Sequence, residues 1–295
     1  MNKISPENPV VLWWSGGITS ALACWLTIQM WGAENCICLY IDTKNEDEDT
    51  YRFKADCEKL YGIPIQSITN ENYKSIQEVW RKFGGMNFAH GAICSSELKR
   101  EVRIAWQKVN PYAYQVFGFD ISEGKRARSM AANYPDCNPI FPLLFFGLSK
   151  KQCLDKFEEF GIEPPRAYKL GLHNNNCLKT GCVQGGIGYW QHMKVIKPEV
   201  FDKMADMEHE LTDKKGEPVT LCKDQSNDAK ESGYVRVFLK PHPDYQHLKS
   251  ISDIKGRKPK PLLECNGFCG INDLEERSPT EKEVYDSQPN LFSSL

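Results

Sequence analysis

Apolar and polar positions alternate in blocks along the first half of the chain. Residues 10–14 (Val-Val-Leu-Trp-Trp) form a continuous apolar run that predicts a buried strand. Residues 18–31 are apolar on most faces and predict a buried helix. A second run, 36–41, predicts another strand that ends at Asp42-Thr43. Helical spacing follows over 49–61, a short strand over 64–68, and a helix over 73–83. A long amphipathic helix is predicted over 94–109, ended by Asn110-Pro111. Residues 114–119 predict a fourth strand, 123–132 a helix, 140–146 an extended segment, and Ser149 caps a helix reaching residue 160. Alternation of this kind predicts an α/β fold with a mostly parallel sheet and helices on both faces. Ligands in such folds bind beyond the carboxyl ends of the strands. Gly16-Gly17, Asp42 and Gly118 all fall just past predicted strand ends and should share one rim.

The pattern changes after His173. Asn-, Gly- and Cys-rich loops give way to a helix carrying Phe201, Met204, Met207 and Leu211 at core spacing. The run Lys255-Gly-Arg-Lys-Pro-Lys-Pro261 reads as a solvated basic linker, with contact to nucleic acid as the other reading. Residues after Glu275 read as a polar tail. These shifts divide the chain into 1–190, a nucleotide-binding unit; 191–275, a helical, Cys-bearing extension; and 276–295, the tail. The formal net charge of −2 gives no global drive toward nucleic acid or anionic membranes. No stretch approaches the ~20 apolar residues of a spanning helix. Residues 1–9 lack the apolar core of a signal peptide, so a cytoplasmic protein is expected.

The chain has 12 cysteines. In a reducing compartment these point to core packing, metal or thiol chemistry rather than disulfides. Cys24, Cys36, Cys38, Cys57 and Cys153 lie in apolar or amphipathic patterns and read as small core residues. Cys137 and Cys222 read as loop residues.

Five segments carry candidate chemistry. Ser15-Gly16-Gly17-Ile-Thr19-Ser20 lies between a strand and a helix. Two glycines allow close backbone approach to an anion, the helix start offers N–H groups, and Ser15, Thr19 and Ser20 add hydroxyls. A strand-to-helix turn with steric glycines is the other reading. It is neither a Walker loop nor a dinucleotide fingerprint. Asp42 can accept from ribose hydroxyls or an adenine amino group, or can serve as a turn acid. The acidic run 46–49 reads as a solvated loop. Cys94 opens a helix whose dipole lowers a thiol pKa, with Lys99 one to two turns on. Gly118, followed by Lys125, Arg126 and Arg128, supplies cations for a polyanionic nucleotide. Cys177 and Cys182 share a Gly/Asn loop, and Cys265 and Cys269 make a second pair. Together they suggest a four-thiolate zinc or iron–sulfur site, with Cys94 as the rival ligand. His173 is the histidine best placed to line the site.

The Ser-Gly-Gly-x-Thr-Ser loop resembles the PP-loop of the ATP pyrophosphatase, or adenine nucleotide alpha hydrolase, superfamily. The segments at Asp42-Thr43, Cys94–Lys99, Gly118–Arg128 and Tyr168–Cys182 are similar, in order, to those of its phosphoadenosine phosphosulfate (PAPS) reductase-like branch. There are departures. Lys44 replaces a Gly, Ser95 stands where the adenylylsulfate branch has a second cysteine for its [4Fe-4S] cluster, and the first Arg after Gly118 is absent. Glu264-Cys265-Asn-Gly-Phe-Cys269 departs from the family's Glu-Cys-Gly-Leu/Ile-His ending. The resemblance implies a flavodoxin-like, Rossmann-type sheet and an adenine nucleotide at its rim. It implies cysteine-dependent sulfur chemistry of two kinds. A sulfonucleotide reductase uses PAPS or adenylylsulfate, a thiolate such as Cys265 or Cys94, and a thiol reductant such as thioredoxin. A sulfurtransferase uses ATP, with Mg2+, to act on DNA or tRNA. A nucleotide-binding module without turnover is the non-enzymatic reading.

Overall fold

The computed structural model describes residues 3–88 and 91–262. In chain order the elements begin with β1 (Val10–Trp13), α1 (Ile18–Trp31), β2 (Cys36–Ile41), α2 (Glu48–Tyr61), β3 (Ile65–Ile68) and α3 (Ile76–Phe83). A small hairpin of β4 (Asn87–Phe88) and β5 (Gly91–Ala92) leads into α4 (Ile93–Ser95). This helix continues through a π-helical turn (Ser96–Arg100) into α5 (Glu101–Val109). Then come β6 (Tyr114–Val116), α6 (Gly124–Asn133), β7 (Pro139–Ile140), α7 (Pro142–Phe145), α8 (Lys150–Glu159), α9 (Arg166–Lys169), α10 (Ile187–Ile196) and α11 (Pro198–Lys215). The described part ends with β8 (Cys222–Lys223), α12 (Asn227–Ser232), β9 (Arg236–Phe238) and β10 (Lys249–Ser250).

Five strands form one sheet in the order β3-β2-β1-β6-β7, and every pairing in it is parallel. Counted along the chain this is 3-2-1-4-5, the Rossmann order of doubly wound sheets rather than the flavodoxin order 2-1-3-4-5. Strand direction of growth reverses between β1 and β6, so the loops leaving these two strands flank the switch-point crevice. Alternate residues of β1 face opposite layers. Val10 and Leu12 join a core with α1, α2 and α8. Val11 and Trp13 join a core with Trp106 of α5 and Ala127 and Met130 of α6. Helices thus cover both faces, which is why β1 reads as an unbroken apolar run.

A further core combines α3, α10, α11 and the strands β8 and β9, built on Trp80, Trp190, Phe201, Met204 and Leu211. Phe201, Met204, Met207 and Leu211 are buried, as their spacing implies. Strands β8–β10 form a three-stranded sheet of mixed direction. Glu208 of α11 holds it from beneath: its carboxylate accepts from Leu221 N at 2.7 Å and Leu239 N at 2.6 Å.

Several expectations shift. The segment 140–146 is not extended throughout, because Pro142 at the first turn starts α7. The 255–261 run is not a free linker. Arg257 N donates to Gln191 Oε1 at 2.8 Å. Lys258 lies so close to Gly188 that a Cβ there would sit 2.4 Å from its carbonyl oxygen. Asn174 Nδ2 donates to Leu262 O. Cys137 and Cys222, which read as loop residues, are buried, at 2% and 1%. Cys24, Cys36, Cys38, Cys57 and Cys153 are core residues.

Candidate nucleotide site

The chain leaves β1 at Trp14 and turns through Ser15, Gly16 and Gly17 into α1. Gly16 has φ +86°, and a Cβ on it would stand 2.9 Å from Thr50 Cγ2. Both the backbone angle and the space require glycine. Gly17 occupies the cap position of α1 with no side-chain cap and no acid in the first turn. The N-terminus of a 14-residue helix therefore faces the switch-point crevice with its positive end unneutralised by a carboxylate of its own. The hydroxyl of Ser20 shapes the turn: it accepts from Ser15 N at 3.0 Å and from Ser15 Oγ at 2.8 Å, and donates to Gly17 O at 2.9 Å. Thr19 is buried beside it. Ile18 N donates to Tyr168 OH at 3.0 Å, bringing α9 over the helix start.

Gly118 follows β6 on the other side of the crevice. A Cβ there would lie 2.4 Å from both Ser20 N and Ser20 Cα. The exit of β6 is thus pressed against the first turn of α1, which only a glycine permits. Of the cations that follow, Lys125 is exposed. Arg126 is buried, pairs with Glu123 Oε1 at 2.7 Å and lies over the Phe119 ring at 4.9 Å. Arg128 is half-buried on α6.

The loop after β2 is only partly solvated: Lys44 and Glu48 are exposed, whereas Thr43, Asn45, Glu46 and Asp47 are buried. Asp42 accepts from Lys44 N at 2.7 Å and from Tyr51 OH at 3.0 Å, a turn with Lys44 at φ +59°. Glu46 is 2% exposed; it accepts from Thr43 Oγ1 and faces Lys99 Nζ at 3.5 Å. The π turn directs Lys99 inward to this carboxylate, and Glu101 N donates to Ser96 O across it. Asp47 pairs with Arg166 at 2.6 Å and Lys197 at 3.7 Å. These partners lie far along the chain, which is why the acidic run looked solvent-facing from the sequence.

The Cys177–Cys182 loop is bound to this rim. Asn175 Nδ2 donates to Gly16 O and to Thr50 Oγ1, both at 2.9 Å. Asn45 Nδ2 donates to Thr180 Oγ1 at 2.6 Å, and Lys179 N to Asn45 O at 3.2 Å. Cys182 N donates to Tyr189 OH at 2.9 Å. Burial raises the Tyr189 hydroxyl pKa, with Cys182 and Cys177 adding to it. Burial also raises that of Tyr40, at the carboxyl end of β2, and Glu46, Asp42 and Cys177 contribute. Cys177 therefore lies in the electrostatic neighbourhood of the β2 rim. His173, Asn174, Asn176, Tyr189, Lys260 and Leu262 line a cleft beside this loop. Cys94 is half-buried in α4 against the α3/α10/α11 core. Cys265 and Cys269 lie outside the described residues.

The structure thus brings together the 15–20 loop, Asp42, Gly118 and the Cys177–Cys182 loop. Asn175, Tyr168 and Glu46 also belong to this assembly. Asn175 sits in an Asn-Asn-Asn run next to Cys177, a signal that the cysteines overshadowed. Elsewhere, burial pushes the Cys36 and Cys57 thiols up to about 12, as expected of protonated core thiols.

A tetrahedral zinc with Zn–S bonds of about 2.3 Å needs its sulfurs roughly 3.8 Å apart. Among the described residues, Cys94, Cys177 and Cys182 do not form a group with ligand atoms within 4.8 Å of one another. They do not fit a zinc site by themselves. The group that does meet this distance is Asp213, His242 and Asp244. There His242 Nδ1 accepts from Asp244 N at 3.2 Å, leaving the proton on Nε2, which faces Asp213 Oδ1 at 3.1 Å. Both ring nitrogens of His242 are thus already engaged in hydrogen bonds within the protein.

No helix among the described residues is long and apolar enough to cross a membrane. No curated protein matches the chain. Residues 9–115, from the start of β1 into β6, match the family model of the phosphoadenosine phosphosulfate reductase domain. This span holds the 15–20 loop, the Asp42 turn and the Cys94–Lys99 helix, so over these residues the chain is similar to the phosphoadenosine phosphosulfate reductase domain.

Proposed function

We propose that the protein is an enzyme that binds an adenylyl nucleotide on the 15–20 loop and carries out cysteine-dependent sulfur chemistry beside it. One observation carries this reading: the N-terminus of α1, with no carboxylate in its first turn, lies at the switch point and is joined, through Asn175, to the loop that bears Cys177 and Cys182. An anion held at this helix start would share one rim with these thiols. The family match supports the nucleotide.

In the reductase form, the nucleotide is PAPS or adenylylsulfate. A cysteine thiolate attacks the electrophilic sulfur, the S–O bond to phosphate breaks, and the nucleotide phosphate leaves with the electron pair. A second thiol then attacks the cysteine sulfur, releasing sulfite and leaving a disulfide for a thiol reductant such as thioredoxin. Cys265 and Cys94 are the candidate nucleophiles, and the described chain reaches Leu262, three residues before Cys265, against Asn174 of the Cys177 loop. The α1 N-terminus, Lys125 and Arg128 would neutralise the departing phosphate.

In the transferase form, the nucleotide is ATP with Mg2+. An oxygen of a nucleic acid attacks the α-phosphorus and pyrophosphate leaves; the outer sulfur of a cysteine persulfide, loaded by a sulfur donor, then displaces AMP, and a second thiol attacks the cysteine sulfur, so that the S–S bond breaks, the thiolated nucleic acid leaves and a cysteine disulfide remains for a thiol reductant. The basic segment 255–260 docked beside the rim favours keeping this second reading. A zinc or iron–sulfur group would draw on Cys265 and Cys269 together with Cys177 and Cys182.

Anaerobic purification followed by iron, sulfide and zinc analysis, with PAPS, adenylylsulfate and ATP offered in parallel, tests these readings. Sulfite release supports the reductase. Pyrophosphate release that requires added nucleic acid supports the transferase. Nucleotide binding with neither product leaves a binding module and removes both enzyme readings.

A further inference from the structure

The chain as a whole is slightly acidic, yet residues 222–262 hold nine Lys and Arg against five Asp and Glu. Two of these cations share an anchor. Lys249 and Arg257 meet at the buried Asp224, at 3.5 Å and 3.3 Å. From Arg257 the chain runs as a docked strap over Gly188 to Leu262, fixed by Gln191 and Asn174. Lys255, Lys258 and Lys260 on this strap are exposed, and they make no ion pair among the described residues. Their backbone is already ordered, so binding a polyanion there loses little chain entropy.

A ring pair adjoins the strap. Asp224 N donates to Val235 O at 2.8 Å, which puts Tyr234 next to the Arg257 anchor. Tyr234 is 51% exposed and stands 5.4 Å from the exposed His247 ring. Cations along an extended backbone with exposed aromatic faces beside them are what single-stranded nucleic acid requires: charge for phosphates and faces for bases. An acidic protein partner would need an apolar core to its interface. Among the described residues from 235 to 262, no large hydrophobic side chain is exposed.

We propose that the strap 255–262 and the Tyr234–His247 pair form a track for single-stranded nucleic acid, leading to the cleft beside the Cys177–Cys182 loop. The inference rests on the nucleotide reading only for what happens at the end of the track; binding itself is independent of it.

The test is fluorescence anisotropy of the full chain with labelled 20-nucleotide single-stranded RNA and DNA over a salt series, with poly-glutamate as a polyanion control. Three phosphate contacts give a salt slope of about −2 on log axes. Reversing Lys255, Lys258 and Lys260 to Glu should weaken binding more than 10-fold and remove most of that slope. Tyr234→Ala should weaken binding roughly 5- to 100-fold and leave the slope unchanged, because stacking is not ionic. All four positions are exposed, and unchanged melting temperatures will verify folding. Absence of binding at low salt, wild-type affinity in the triple variant, or equal affinity for poly-glutamate would overturn the proposal. PAPS and ATP titrations of the same samples separate the two ideas: lost nucleotide binding sinks the proposed function alone, and lost oligonucleotide binding sinks the track alone.

Discussion

Adding a single methyl group at Gly118 should damage both the fold and the nucleotide site. The new Cβ would stand 2.4 Å from Ser20 N and Cα and 2.8 Å from Thr19 C. Carbon contacts normally begin near 3.5 Å, so roughly 1 Å of movement is needed. The obstructing atoms are backbone in the first turn of a buried helix, and no side-chain rotation relieves them. Overpacking of this kind costs about 1–3 kcal/mol, and the upper half of that range applies because the neighbour is rigid. For a chain of this size such a loss lowers Tm by about 4–12 °C. The movement separates β6 from α1 and disturbs the Ser15–Ser20–Gly17 hydrogen bonds that set the loop. Nucleotide affinity should then fall at least ~10-fold, since a misplaced loop loses aligned N–H donors. Differential scanning fluorimetry and calorimetric nucleotide titration of Gly118→Ala measure the two effects. A variant with wild-type Tm and affinity would show that β6 and α1 do not meet as described.

Other predictions concern neighbouring groups. Glu208 is fully buried, and burial raises its carboxyl from 4.5 to about 8 against two backbone N–H donors. The folded state then holds the proton more tightly, so stability is greatest below pH 4.5 and falls as pH rises toward 8, by up to roughly 5 kcal/mol. Urea midpoints between pH 5 and 8 should show this decline, and Glu208→Gln should flatten it; a wild-type profile as flat as the variant's refutes the burial argument. Removing one member of the buried Lys99–Glu46 pair should cost about 3–5 kcal/mol, while the Lys99→Met/Glu46→Gln double variant should lose less than the sum of the singles. Strict additivity in that cycle would mean the pair is not coupled. Asn175→Ala should release the cysteine loop from Gly16, seen as faster amide exchange over 174–182 with little change in Tm.

The sheet and its rim could be read from the chain because their signals are local. Apolar runs such as 10–13 mark strands buried on both faces, and a glycine pair before a helix marks the turn. Gly118 was legible as a rim residue, but its tight approach to Ser20 depends on two segments a hundred positions apart. The burial of Glu46 and Asp47 was hidden for the same reason: their partners Lys99, Arg166 and Lys197 are distant in sequence, and a run of acids alone resembles a solvated loop. The 255–261 run has the composition of a linker, yet it is docked. Its docking depends on Gly188 and Gln191, which no local pattern connects to it.

Both proposed chemistries require an adenylyl nucleotide on the 15–20 loop. Calorimetric titration of the purified chain with PAPS, adenylylsulfate and ATP, repeated on Gly16→Val, tests it most directly. Valine cannot adopt φ +86° without strain of about 1–3 kcal/mol, and its branches would occupy the space of Thr50. At least one of the three nucleotides should bind the wild type saturably, and that binding should be lost in a folded Gly16→Val variant. No binding of any of them up to about millimolar concentration, weaker than ~4 kcal/mol of affinity, or equal binding by the variant, would contradict it.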